Sequence, residues 1–211
     1  MDRHLPLFFL PHAEVLRRCA VTKFVPIVTE RLVLRPVETH DRARLVELAN
    51  NWRIAKNLST MPYPYTDQAA DEWIGKQAGL WAERQTVPLA ITLDGALIGG
   101  IGVGVRDSTD WELGYWLGEP FWNRGYASEA AIALRNYAFE FLNLAHLVAG
   151  HFADNHASGR ILGKLGFRYT SETMRYCLAR GTNMRCLDMA MSRERWLDLI
   201  PCTERKINIS G

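Results

Sequence analysis

The sequence contains no apolar run approaching the roughly 20 residues that a helix needs to cross a bilayer. Its four cysteines, Cys19, Cys177, Cys186 and Cys202, are scattered through 211 residues and form no CxxC pair. That excludes a disulfide scaffold and a cysteine-pair metal or redox motif, and it points to a reducing cytoplasmic setting. Charge is balanced, with 25 Lys and Arg against 23 Asp and Glu. The residual +2 is spread along the chain without a basic stripe, so no nucleic-acid partner is indicated. No Pro/Gly/Ser linker, low-complexity tract or internal repeat divides the chain. The expectation is one domain over residues 25–200, preceded by an extension (1–24) and followed by a tail (201–211). The Leu5 to Leu10 stretch is broken by Pro6 and followed by Pro11, which fits a signal peptide poorly. It reads instead as an extension packed on the domain or on a second subunit, as a monomer or homodimer would allow.

What is present is core-forming material, with 48% hydrophobic residues and seven Trp, enough to bury a sizeable interior. The most informative stretch is LGYWLGEPFWNRGYA, residues 113–127. Trp111, Leu113, Tyr115 and Leu117 alternate with Glu112, Gly114 and Trp116, which predicts a strand with one apolar face and, on the other, a carboxylate, a gap and a ring. From Ala127 the apolar positions Ala130, Ala131, Leu134, Tyr137, Ala138 and Phe141 mark one face of a helix. Between them lies a tight turn, Arg124-Gly125-Tyr126-Ala127. Unpaired N–H groups and the positive end of a helix dipole at such a turn suit a phosphate.

Better-known phosphate loops do not fit. A Walker loop requires Lys and then Ser or Thr after its last Gly, where Tyr126 and Ala127 stand. The run Gly99-Gly100-Ile101-Gly102-Val103-Gly104 lacks the third glycine of a dinucleotide fingerprint, because residue 105 is Val, and no patterned helix follows it. It reads as a strand packed closely against a neighbour or ligand. The ordered HRD and DFG motifs of a protein kinase are absent.

Downstream, residues 147–152 (LVAGHF) read as a buried strand and residues 153–156 as a turn; Ala157, Ile161, Leu162 and Leu165 repeat helically, and Gly166-Phe167 closes the helix. Residues 168–191 form a hairpin around Ala179-Arg180-Gly181-Thr182. Asp41 to Ala49 and Asp67 to Trp81 read as helices, separated by Met61-Pro62-Tyr63-Pro64-Tyr65, whose prolines exclude a regular helix. Tyr63 and Tyr65 either contact a substrate or cover the core.

GYWLGEPFWNRGYASEAAIALRNYAFEFL followed by HFADNHASGRILGKLGF resembles the GNAT acetyltransferase superfamily, in the branch of ribosomal-protein N-terminal acetyltransferases. Thr29 to Arg35 is similar to the family's first strand, Ala96 to Gly104 to its third, and Asn183 to Trp196 to the last strand and its exit. The resemblance implies an α/β (α+β) fold with a central mixed, mostly antiparallel, twisted sheet flanked by helices and splayed at strands 4 and 5. It also implies acetyl-CoA as cosubstrate, with no metal. The family's loop pattern, Gln or Arg, two residues, Gly, one residue, Gly or Ala, maps onto Trp122, Asn123, Arg124, Gly125, Tyr126 and Ala127. Trp122 departs from the pattern at its first position. The implied cofactor-binding residues are Asn123, Arg124, Gly125, Tyr126 and Ala127, the backbone of Trp116 and Leu117 beside the splay, and Asn155 and Ser158 at the later turn. Asn155 otherwise stabilises its own turn.

Acetyl transfer needs a neutral amine, and near pH 7 roughly one in ten α-amines is neutral against about one in a few thousand lysines. Glu112, on the cleft-facing side of its strand, is the candidate base; its blander reading is a solvated carboxylate. The leaving thiol has a pKa near 8.5, so a weak acid is enough to protonate it. Many relatives place a Tyr four residues before the GF helix end, where Leu162 stands here. Ser158 is the nearest hydroxyl, and it either supplies the proton or caps the short helix. Backbone N–H groups of Trp116 or Leu117 are the candidate oxyanion donors. His151 and His156 lack a third ligand in any recognisable pattern. The acceptor is left open between a protein N-terminus and a small-molecule amine, with a non-catalytic acyl-CoA sensor as a third reading.

Overall fold

A computed structural model describes residues 24–82, 86–106 and 110–200. The extension expected over residues 1–24 and the tail expected over 201–211 lie outside the described residues, Phe24 apart. Among the described residues eight strands form one sheet in the order β1-β2-β3-β4-β5-β6-β8-β7. They are β1 (Ile27–Val28), β2 (Leu32–Arg35), β3 (Thr86–Leu93), β4 (Ala96–Arg106), β5 (Asp110–Leu117), β6 (His146–Phe152), β7 (Arg168–Cys177) and β8 (Thr182–Ser192). Every neighbouring pair is antiparallel except β5 and β6, which run parallel. A parallel pair needs a crossover, and it is supplied by helix α4 (Tyr126–Glu140). The other helices are α1 (Arg42–Ala49), α2 (Trp52–Ala55), α3 (Asp67–Ala82), α5 (His156–Leu165) and α6 (Arg193–Leu199). Among the described residues no helix is long and apolar enough to cross a membrane.

The first strand expected over Thr29 to Arg35 begins only at Leu32, as β2, and the short β1 lies before the expected range. Thr29 closes a turn on Leu32: its N–H and hydroxyl both donate to the Leu32 carbonyl, at 2.9 and 3.1 Å, and the hydroxyl accepts from the Leu32 N–H at 3.0 Å. This extra strand shifts the count by one, so the splay expected at strands 4 and 5 falls between β5 and β6. Helix α2 was also unexpected; it starts at Asn51, whose side chain accepts from the Arg53 N–H at 2.8 Å.

Alternation along β5 sorts the two faces of the sheet. Leu113 and Leu117 join the main core with Leu34, Leu89, Ile91 and Ile101, closed over by Ala130, Leu134 and Ala138 of α4 and by Leu162 and Leu165 of α5. Ala130, Leu134, Ala138 and Phe139 are wholly inaccessible, and truncating a ring such as Phe139 would cost about 3–5 kcal/mol. Trp116 points to the opposite face, against Leu45 and Leu48 of α1. The glycines of β4 make that approach possible: a Cβ at Gly100 would lie 2.6 Å from the Trp116 indole nitrogen. The close packing expected of this glycine run is thus a cross-strand contact.

One buried cation was not foreseen. Arg135, on α4, is 7% exposed and donates through Nη1 to the Leu165 carbonyl at 2.7 Å, satisfying an orphan acceptor at the end of α5. Burial holds its pKa below the usual arginine value.

Candidate active site

The paired register of β5 and β6 covers only Glu112 opposite Val148 and Leu113 opposite Ala149. Beyond it β5 runs on to Leu117 and β6 to Phe152 without pairing, so the strands splay where the sequence reading required a gap. A cleft of about 1230 Å³ passes through this opening, lined by residues from both faces of the sheet. Gly118 donates to the Ile98 carbonyl at 2.8 Å, and Gly100 lies opposite Trp116. Antiparallel alternation therefore directs the Trp116 N–H to β4 and those of Tyr115 and Leu117 to the gap. Of the two residues expected to line the splay with their backbone, Leu117 is the one whose N–H faces the gap.

At one end of the cleft lies the turn before α4. Asn123 and Gly125 adopt left-handed backbone conformations, with φ of 60° and 83°. Asn tolerates that region and Gly occupies it without a Cβ penalty. Gly125 is the N-cap of α4, and no side chain bonds the cap. Gly125, Tyr126, Ala127 and Ser128 line the cleft with Trp122 and Asn123, so the first-turn N–H groups and the helix dipole meet the same space. Arg124 does not line it; its carbonyl accepts from Arg31 Nη1 at 3.0 Å.

Two braces hold this turn. Arg31 pairs with Glu129 at 2.6 Å and lies 4.6 Å from the centre of the Tyr126 ring. Burial pushes the Glu129 carboxyl up, but hydrogen bonds from Thr29, the Arg31 N–H and the Arg31 side chain outweigh it, and the net shift is downward. On the other side Glu119 accepts from Asn51 at 2.8 Å and pairs with Arg53, which lies 5.2 Å from the Trp122 ring centre. Trp122 in turn donates its indole N–H to the Leu117 carbonyl at 2.8 Å. The residue that departs from the family pattern thus satisfies a backbone acceptor at the end of β5.

At the gap, Glu112 lines the cleft and is not a freely solvated carboxylate: Arg175 Nη1 donates to its Oε1 at 2.6 Å. Gly114, next on the same face, would carry a Cβ into open space. Ser158 and Asn155 line the cleft as well. Asn155, not Ser158, is the cap of α5, accepting from the Ser158 N–H at 3.3 Å. The Ser158 hydroxyl instead stands 2.9 Å from that of Tyr115. Burial pushes Tyr115 up to about 12, with the Ser158 bond acting against it. Tyr115 was passed over in the sequence as an apolar strand position; a buried phenol needs a partner, and that need was the available signal.

Trp52 and Tyr63 do not line the cleft; they pack edge to face on each other at 5.4 Å. Tyr65 is 5% exposed: it fills the core beneath α1, as the core-covering alternative had it, and also lines the cleft. His151 is occupied by the Phe152 carbonyl at 2.8 Å and the Tyr169 hydroxyl at 3.1 Å. Among the described residues no group of three His, Cys, Asp or Glu could hold a metal.

A bare helix N-terminus beside a splayed strand pair, with a carboxylate and a hydroxyl at the gap, defines an acetyl-CoA-dependent N-acetyltransferase. Residues 31–168 match the model of the acetyltransferase (GNAT) domain, and the chain belongs to that family. The uncharacterized N-acetyltransferase p20 of Bacillus licheniformis is 29% identical over 168 residues, 78% of this chain and 93% of that one. Mycobacterium smegmatis RimJ, solved in complex with CoA-disulfide, shares the fold with a TM-score of 0.68 at 20% identity, over 79% and 88% of the two chains. The ribosomal-protein-S5-alanine acetyltransferase of Vibrio fischeri does so with a TM-score of 0.70 at 16% identity, over 82% and 99%.

Proposed function

We propose that this enzyme acetylates the α-amine of a protein N-terminus, by direct attack of the amine on acetyl-CoA in a ternary complex. The observation that carries the reading is the continuity of one cleft from the cradle at Gly125, through the gap between β5 and β6, to Glu112 and the wall formed by residues 58–62 with Tyr65 and Trp73. Its volume of about 1230 Å³ exceeds the roughly 300–1,000 Å³ of a small-ligand pocket, which supports a cofactor and a peptide end together. Trp52 and Tyr63 are half exposed and stand outside the cleft lining, so neither closes a small pocket over the acceptor wall.

In this reading the N–H groups of residues 125–128 hold the diphosphate and the pantetheine arm threads the gap beside Asn155. The amine nitrogen attacks the thioester carbon. Glu112 takes the amine proton directly or through a water, the Leu117 N–H faces the developing oxyanion, and the C–S bond breaks. Ser158 or a water returns a proton to the leaving sulfur, giving the N-acetyl product and free CoA. The likeness to the ribosomal-protein-S5-alanine acetyltransferase supports the protein acceptor.

The test is release of CoA thiol from acetyl-CoA by the full chain, offered peptides with free N-termini, the same peptides N-blocked but carrying lysine, and a panel of polyamines and aminoglycosides. Thiol release driven by free N-termini and lowered about 100-fold or more by Glu112→Gln is expected. Release with the small amines alone would move the acceptor to that class. Acetyl-CoA binding without thiol release on any acceptor of the panel would make the chain a sensor.

A further inference from the structure

Arg175 is carried by β7, two strands beyond the neighbour of β5, so its guanidinium must pass over β6 and β8 to reach Glu112. It crosses β6 at Gly150. A Cβ there would lie 3.0 Å from both terminal guanidinium nitrogens, while no positive φ demands glycine at this position. The missing side chain serves clearance. From below, the second terminal nitrogen is taken by Asp188 of β8, which sits directly opposite Gly150 in the sheet. Asp188 is itself fixed by the Thr173 hydroxyl at 2.8 Å and the Ser171 hydroxyl at 3.3 Å.

The three charged side chains are only 14%, 19% and 15% exposed for Arg175, Glu112 and Asp188. Desolvating three charges is costly, and well-packed apolar residues would stabilise a sheet face at least as well. What an apolar set cannot do is grip one oxygen of Glu112 from a fixed direction. Glu112, Gly150 and Arg175 all face the cleft.

We propose that Arg175 is the positioning residue for Glu112, holding its carboxylate in the one orientation that reaches the acceptor amine, with Asp188 as the anchor and Gly150 as the notch. The inference rests on the reading that Glu112 accepts the amine proton. Misplacing a catalytic group by about 1 Å can lower a rate by about 100-fold, so the effect belongs in kcat, leaving acetyl-CoA binding untouched.

The experiment compares Arg175→Met, Arg175→Lys, Gly150→Ala, the Gly150→Ala/Arg175→Met double variant and Glu112→Gln in the full chain, for kcat, the KM of acetyl-CoA and thermal midpoint. Arg175→Met should lower kcat by about 10- to 100-fold with the acetyl-CoA KM within about twofold, and Arg175→Lys should recover part of the loss. Gly150→Ala should lower kcat several-fold alone and have no further effect once Arg175 is Met, because both act through one guanidinium. Should Arg175→Met fail to fold, Gly150→Ala, which displaces the guanidinium without deleting it, carries the test. If Glu112→Gln is strongly impaired while Arg175→Met and Gly150→Ala keep kcat within about twofold, this inference is overturned and the Glu112 reading stands. If Glu112→Gln is fully active, the reading beneath it falls instead. A Gly150→Ala penalty undiminished in the Arg175→Met background would also overturn the proposal.

Discussion

The hydroxyl oxygens of Tyr115 and Ser158 stand 2.9 Å apart and tie β5 to the first turn of α5 at the gap. Burial pushes the Tyr115 phenol up to about 12, and a serine hydroxyl is a weaker acid still, so acidity does not favour Ser158. Under the proposed function Ser158 passes a proton on beside the sulfur and Tyr115 orients it. Ser158→Ala should lower kcat by about 10- to 100-fold and Tyr115→Phe by only a few-fold, measured by thiol release. The reverse order would make Tyr115 the donor.

Tyr65 and Tyr115 are both pushed up to about 12 by burial. A tyrosine whose folded pKa exceeds its unfolded value near 10 contributes stability in full below pH 10 and loses it between pH 10 and 12, because the unfolded chain releases its proton first. The contribution is on the order of 2 kcal/mol per ring. Urea midpoints between pH 9 and 12 should therefore fall less steeply in Tyr65→Phe and Tyr115→Phe than in the parent chain. Equal slopes would contradict the shift.

At Gly125 the left-handed φ of 83° and the Arg31 guanidinium 3.3 Å from a built Cβ both oppose a side chain. Gly125→Ala should cost about 1–2 kcal/mol of stability and raise the KM of acetyl-CoA by about tenfold or more, through loss of the first-turn N–H cradle. Calorimetric titration with CoA measures the second effect apart from turnover.

Gly114 offers the opposite case. A Cβ there meets nothing within 4 Å and φ is not positive, so Gly114→Leu should leave the thermal midpoint unchanged or slightly raised. Its side chain would enter the notch between Glu112 and Trp116 on the acceptor face. The expected result is a raised acceptor KM with CoA affinity within about twofold of the parent.

Much of this was legible in the residues, and the misses have physical causes. The α4 helix and the β5 strand follow from periodicity, since Ala130, Leu134 and Ala138 are buried where the 3.6-residue pattern put them. The turn at Gly125 follows from its glycine and the bare helix start behind it. The turn at Thr29 was hidden because Thr29 to Arg35 reads as one β-rich run, while its side-chain bonds to Leu32 delay the strand to residue 32 and set β1 apart. The splay is a property of two strands and cannot be read from either. Arg175 escaped notice for the same reason: its partners lie 63 and 13 residues away, and only the sheet order brings them together.

The central claim is that the main-chain donors at residues 125–128 and the carboxylate of Glu112 serve one substrate from two sides of the same gap. A crystal structure of the chain with CoA tests it most directly. The predicted result is diphosphate oxygens about 3 Å from those N–H groups, the pantetheine between β5 and β6, and the sulfur within reach of Glu112 and Ser158. A nucleotide bound elsewhere, or a pantetheine arm excluded from the gap, would contradict the account.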